Sequence, residues 1–344
     1  MIRIALVGAG RIGGVHARHL AGIKEARIVG VYDPLVERST SIARELDARI
    51  AQDWQTLVAA DDVDAVVIAS STETHPDVLR MAVSAGKAVY CEKPIAAGLV
   101  DAWKLQQDIL SQPHRVMVGF NRRFDRNHSI VASDAHAGRI GKLQTVQMTS
   151  RGPNAVPNAD YLRVSGNLFF DKMVHFFDLA RWFTREDIVQ VSAMGSVIAD
   201  QVFADYNDID TALVTLQTRS GAIVLIDNAR RAVYGYDDRI ELFGTGGLLE
   251  SSRVTEGNIM RIFDDKLLSE GLPKDPMIRM AASYAASITA FVEFASGHRN
   301  DVPGIKDGFE ALVLAEAASR SRLSGRHESP DVIRDEIAHT AEAT

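Results

Sequence analysis

The chain has 344 residues, 46% hydrophobic and 24% charged, with a formal net charge of −7; this is the make-up of a soluble globular protein long enough for two domains of roughly 100–200 residues each. The mild acidic excess argues against a general nucleic-acid or membrane-surface binder, and no apolar run is long enough to span a bilayer. Cys91 is the sole cysteine, which excludes an internal disulfide; the first residues carry no leader pattern, so a cytoplasmic location is expected.

In chain order, the first third alternates short apolar runs with amphipathic stretches. Ile2–Val7 reads as a strand and 11–22 as a helix. A second strand over 27–32 is closed by Asp33-Pro34, and 36–46 is a helix with Ile42 and Leu46 on its apolar stripe. The Ala-Val-Val-Ile-Ala run at 65–69 has no polar alternation and reads as a fully buried strand. A helix over 75–85 ends at Gly86; 88–92 and 116–120 are further strands around a helix near 98–111. Short apolar strands separated by helices predict a doubly wound parallel sheet over 1–120.

The pattern changes after residue 120. Strands over 143–150, 211–218, 222–228 and 239–243 have shorter connections, and Arg219-Ser220-Gly221 reads as a hairpin turn. An α+β domain is expected over 121–326, around a large, mostly antiparallel open sheet. Helices near 168–183, 277–296 and 305–323 would cover one of its faces. The polar segment 327–344 reads as a loosely held tail.

Gly8-Ala9-Gly10-Arg11-Ile12-Gly13 follows the first strand and opens the first helix. In that context the glycines provide a tight turn, close backbone approach to a pyrophosphate and close helix–strand packing, while the helix N-terminus offers free N–H groups to phosphate. Asp33, about twenty residues on, closes the second strand where a carboxylate accepts from ribose hydroxyls. That carboxylate would repel a 2′-phosphate, so NAD is expected over NADP, with Arg38 a nearby cation of the opposite tendency. Ser70-Ser71-Thr72 and His75 follow the strand at 65–69 and are expected on the nicotinamide-ribose side; helix capping by Thr72 or Thr74 is the alternative.

Lys93 sits in Glu92-Lys93-Pro94, at the carboxyl end of a parallel strand, where open α/β sheets bind ligands. An ammonium there can hold a substrate hydroxyl and stabilise charge developing on its oxygen, with Glu92 as an orienting partner. In the mostly apolar segment 168–183, Asp171, His175 and Asp178 fall at i, i+4 and i+7 on one narrow stripe. His175 can take a hydroxyl proton and Asp171 can orient its ring. A structural helix with a satisfied histidine is the plain alternative. A metal site of Asp, His and Asp lacks a second histidine at ligand spacing, and none is expected. Arg122, Asn154 and Tyr234 are further substrate contacts by this reading.

Taken together, Gly8-x-Gly10-x-x-Gly13, Glu92-Lys93-Pro94 and Asp171-x-x-x-His175-x-x-Asp178 resemble the glucose–fructose oxidoreductase / inositol dehydrogenase / rhizopine catabolism family, from Ile2 to about Arg326. The stretches 119–125 and 231–241 look most like inositol 2-dehydrogenases. The resemblance implies an N-terminal Rossmann domain, a C-terminal α+β domain, NAD as cofactor, and Lys93, Asp171 and His175 as the catalytic trio. It also implies a homo-oligomer, a tetramer or dimer, built through the C-terminal sheet. The implied reaction is oxidation of a secondary ring alcohol, myo-inositol foremost. Another inositol isomer or an aldose, NAD-dependent glycoside hydrolysis, and a non-catalytic dinucleotide sensor stay open as alternatives.

Overall fold

The computed structural model describes residues 1–153, 159–257, 259–264 and 266–343. They group into two compact units: Met1–Phe124 with Ser283–Leu312 and the chain from Asp335, and Asp125–Ala282 with Val313–Arg334.

The first unit is built on β1 (Ile2–Val7), β2 (Ala26–Tyr32), β3 (Arg49–Ile50), β4 (Ala65–Ile68), β5 (Ala88–Cys91) and β6 (Arg115–Val118), with helices α1 (Arg11–Ala21), α2 (Val36–Leu46), α3 (Trp54–Ala59), α4 (His75–Ser84) and α5 (Leu99–Leu110) between them. The sheet is parallel with order β3-β2-β1-β4-β5-β6. Strand order reverses between β1 and β4, so the connections after these strands run to opposite faces of the sheet, the arrangement that places a binding crevice at the strands' carboxyl ends. Every residue of β4 and β5 is buried, as a sheet covered on both faces requires.

The second unit carries α6 (Arg126–His136), β7 (Leu143–Arg151), α7 (Ala159–Val164), α8 (Val174–Thr184), β8 (Ile188–Ser196), α9 (Val202–Asp205), β9 (Thr211–Thr218), β10 (Ile223–Ala229), β11 (Asp237–Gly244) and β12 (Gly247–Ser251), followed by a two-stranded ribbon of β13 (Met260–Phe263) and β14 (Lys266–Ser269). Its main sheet has the order β12-β11-β7-β10-β9-β8. Only the β7–β10 pair is parallel; the other four are antiparallel. Along β9 buried residues alternate with exposed ones, so this sheet packs one face and leaves the other to solvent.

Three helices complete the chain: α10 (Pro276–Ala295), α11 (Ile305–Ser324) and α12 (Pro330–Glu342). The expectation that 277–296 covers the second sheet needs correction. From Ser283 onward α10 belongs to the first unit, where Ile288, Phe291, Val292 and Ala295 join Ile4, Leu6, Tyr90 and Met117 in one core. The grouping of residues therefore differs from a simple change at residue 120. Nor do the described residues of the expected tail 327–344 form a loose end: Pro330–Glu342 is the helix α12. Ile333, Ile337 and Ala341 are buried, and their four-residue spacing gives α12 a narrow apolar stripe within a polar composition.

Candidate active site

The cofactor loop folds as its glycines require. Gly8 has φ +96°, and a Cβ there would lie 2.3 Å from Ser70 N; the loops after β1 and β4 touch at this point. A Cβ on Gly13 would lie 2.0 Å from Gly8 O, so α1 can approach the loop only without a side chain. On Gly10 a Cβ would meet nothing nearer than Arg38 Nη1 at 3.9 Å. The protein thus leaves open the glycine where a pyrophosphate would approach. Gly10 caps α1 with no side-chain acceptor, so the first-turn N–H groups of Arg11, Ile12 and Gly13 stay available as phosphate donors. Asp33 is buried; its Oδ2 accepts from Ala9 N at 2.7 Å and its Oδ1 from Leu35 N at 2.9 Å. Each oxygen keeps a lone pair for a ribose hydroxyl.

After β4, Ser71 is exposed and Thr72 half-buried. Ser70 Oγ bonds Thr74 Oγ1 at 2.7 Å, and Thr74 donates to Ser71 O at 2.9 Å; no side chain caps α4, so the capping alternative is not what forms. His75 is buried rather than lining an open face. Its Nδ1 lies 2.8 Å from Pro94 O and its Nε2 3.2 Å from Ser70 O. Burial holds the imidazole below its ordinary pKa, against the pull of these carbonyls. A neutral ring has one N–H, so it donates to one carbonyl at a time. His75 thereby ties the end of β4 to the Lys93-Pro94 segment, whose peptide bond is cis.

Lys93 is half-buried at the end of β5. Glu92, expected to orient it, bonds His16 on α1, with Oε1 2.7 Å from Nε2. His16 is fully buried and packs edge-on to Tyr90 and Tyr284 at centroid distances of 5.0 and 5.8 Å. The bond links the cofactor-loop helix to the residue before Lys93. Arg122 is buried in a tight turn at Asn121–Phe124. Its neighbours there hold the fold: Asn121 donates to Ser283 Oγ at 3.0 Å, and Arg123 pairs with Asp307 at 3.1 Å.

In the second unit the segment 168–183 is not one α-helix. Phe169–Met173 is a π-helical turn that leads into α8, a wide turn of the kind found at functional sites. Asp171 sits in it, buried. Its Oδ1 accepts from Tyr161 Oη at 2.6 Å and its Oδ2 from Arg230 Nη1 at 3.0 Å. His175 is half-buried one turn on and Asp178 is buried. Tyr234 is partly exposed and donates to Asp237 Oδ2 at 2.8 Å. Asn154 lies outside the described residues. Among the described residues no group of three or more His, Cys, Asp or Glu is arranged to hold a metal ion, and no helix is long and apolar enough to cross a membrane.

Comparison with known proteins gives this geometry its family. Residues 2–120 match the family model described as the oxidoreductase family with an NAD-binding Rossmann fold, and residues 133–250 match the GFO/IDH/MocA C-terminal domain. An inositol 2-dehydrogenase of Rhizobium meliloti is 38% identical over 320 residues, covering 93% of this chain and 96% of that protein. The chain belongs to the GFO/IDH/MocA oxidoreductase family. Among solved structures, a myo-inositol dehydrogenase of Corynebacterium glutamicum superposes with a TM-score of 0.90 at 34% identity, covering 96% of this chain and 98% of the other. A scyllo-inositol dehydrogenase of Lactobacillus casei, with bound NAD(H) and scyllo-inositol, gives a TM-score of 0.89 at 25% identity, covering 96% and 99%.

As a GFO/IDH/MocA member the chain takes NAD as cofactor, and the open cradle at Gly10 with the Asp33 carboxylate beyond it fits that group. Sequence reasoning missed the residues that brace this frame. His16, three positions after Gly13, carried a usable signal, a histidine on the inward face of α1. Tyr161 and Asp208 carried none.

Proposed function

We propose that this chain is an NAD-dependent inositol dehydrogenase that oxidises the 2-hydroxyl of myo-inositol to the ketone. The observation that carries the proposal is the cofactor frame, the Gly8–Gly13 loop braced by Asp33, in the same sheet whose strand β5 ends at Lys93, on a chain similar to inositol dehydrogenases over nearly its whole length. NAD, when bound, would supply the acceptor for the hydride that leaves the carbinol carbon. His175 takes the proton of the reacting hydroxyl, and Asp171, held by Tyr161 and Arg230, orients and stabilises the charged imidazole. Lys93 donates to the same oxygen and stabilises the charge that develops on it. Gly8, Gly10, Arg11, Ile12 and Gly13 would hold the pyrophosphate, and Asp33 the adenosine ribose. Ser70, Ser71 and Thr72 line the nicotinamide side, with His75 and Glu92 bracing the segment beneath. Arg122, Asn154, Asp178 and Tyr234 are assigned to the remaining ring hydroxyls. By this reading residues 1–120 hold the cofactor, and 121–326 select the substrate and join copies of the chain.

The exposed face of the second sheet supports the homo-oligomer. Leu248, Phe243, Thr145, Ile223 and Gln217 stand in register across five strands, and Leu248, Phe243 and Ile223 are exposed apolar residues. Apolar rows of this kind mark association surfaces. The single, buried Cys91 suits the reducing cytoplasm.

A screen of NAD reduction across inositol isomers and aldoses, followed by absorbance of the reduced cofactor, tests the substrate. NADH formation with myo-inositol as the best substrate is expected. Best turnover on an aldose, or sugar release from a glycoside without net NADH, would overturn the assignment.

A further inference from the structure

The Arg230 contact that holds Asp171 is one arm of a larger buried charge cluster, and Asp208, its second carboxylate, has no part in the reaction as described above. Arg230, 2% exposed, reaches Asp171 Oδ2 through Nη1 at 3.0 Å, Asp208 Oδ2 through Nη2 at 2.6 Å, and Ile209 O through Nε at 3.2 Å. Its guanidinium carbon lies 5.1 Å from the ring centroid of the buried Phe203. The other oxygen of Asp208 accepts from Leu168 N and Ile209 N, both at 2.7 Å. Leu168 immediately precedes the π-helical turn that carries Asp171. One clamp therefore grips the turn twice, at its entry through Asp208 and at its carboxylate through Arg230.

The charge count gives the clamp a consequence beyond packing. Two buried carboxylates share one guanidinium, an arrangement that is costly unless each oxygen is bonded. Burial already pushes the Asp208 carboxyl upward, against the opposing pull of Arg230. Without the guanidinium, the two acids would face each other and one would bind a proton. A protonated Asp171 cannot stabilise an imidazolium. A flexible ammonium could meet one carboxylate but not bridge both, because only the planar fork presents donors to two acceptors at fixed angles.

We infer that Arg230, seconded by Asp208, is a positioning residue of the reaction: it keeps Asp171 ionised and aimed, so that Asp171 can serve the proton-accepting imidazole. This rests on the reading of Asp171 as part of the catalytic trio.

The test compares Arg230→Ala, Arg230→Lys, Asp208→Asn and Asp171→Asn in the full chain. Turnover with myo-inositol, NADH affinity by fluorescence and thermal unfolding are measured for each. Arg230→Ala should lose about a hundredfold in kcat, the scale of a misplaced catalytic group, with NADH affinity within a few-fold of wild type. Added guanidinium at non-denaturing concentration should restore part of that turnover in Arg230→Ala and none in Asp171→Asn. Arg230→Lys should recover less than guanidinium does. Near-normal kcat in Arg230→Ala beside a dead Asp171→Asn overturns the inference and spares the trio. So does a loss that guanidinium leaves untouched and that merely tracks the folded fraction. Near-normal kcat in Asp171→Asn overturns the reading on which the inference rests. If Arg230→Ala does not fold, Arg230→Lys and Asp208→Asn decide: lowered kcat at unchanged NADH affinity supports the clamp, and unchanged kcat refutes it.

Discussion

At the scale of single residues, Asp33 does two things with one carboxylate. It pins the backbone of the glycine loop and of the chain entering α2, and in the proposed cofactor site it presents negative charge to the adenosine ribose. Asp33→Ser removes the charge that repels a 2′-phosphate, while Arg38 remains near Gly10. The ratio of kcat/KM for NADP over that for NAD should rise about tenfold or more, the scale of a single charge contact, with NAD affinity reduced; steady-state kinetics with both cofactors checks it. His75 makes a pH-dependent contribution. Its folded-state pKa is depressed, so the stabilisation is present above the unfolded value of about 6.5 and is lost as pH falls through the folded value. His19 and His136 shift in the same direction, both mainly through burial. Thermal unfolding between pH 7.5 and 5 should show the wild type losing stability on acidification, and His75→Gln should flatten part of that slope. An unchanged slope would remove His75 from the account.

At the scale of elements, what was legible depended on locality. β1, β2, β4, β5 and β6 are runs of buried β-branched and apolar residues, and their sequence alone marks them to within one or two positions. The two-residue β3 is exposed and β12 nearly so; neither carries a periodic signal. α12 hides its stripe of Ile333, Ile337 and Ala341 among charges. The π-helical turn before α8 was unreadable because an α period and a π period share the same residues over one turn. α10 was visible as a helix, but its packing partners are hundreds of positions away. Phe291 is fully buried there and meets Tyr90 edge-on at 5.6 Å. Phe291→Ala should cost about 3–5 kcal/mol, as large-to-small core substitutions do; urea unfolding measures it. A cost below about 1 kcal/mol would mean that this segment does not serve the first unit's core.

At the scale of the molecule, the glycine loop, Asp33 and Lys93 were legible because each is a short motif placed by its own strand. The Asp171–Arg230–Asp208 clamp was not, because its members lie 59 and 22 positions apart and meet only once the second sheet forms. The exposed row on that sheet makes a further prediction. Ile223→Asp with Phe243→Asp places charge on the apolar face, and light scattering should show the particle mass falling toward that of one 37.6 kDa chain. An unchanged mass would contradict the proposal that this face joins copies of the chain.

The central claim is that Lys93 and His175 act on one polyol hydroxyl while NAD is held independently of both. The most direct measurement is NADH formation from myo-inositol at saturating NAD by wild type, Lys93→Ala and His175→Ala, with NADH affinity determined alongside by fluorescence. We predict that each substitution slows turnover by about 10²–10⁴-fold, the range for loss of a general acid or base, with cofactor affinity within a few-fold of wild type. Turnover close to wild type in either variant would contradict the account.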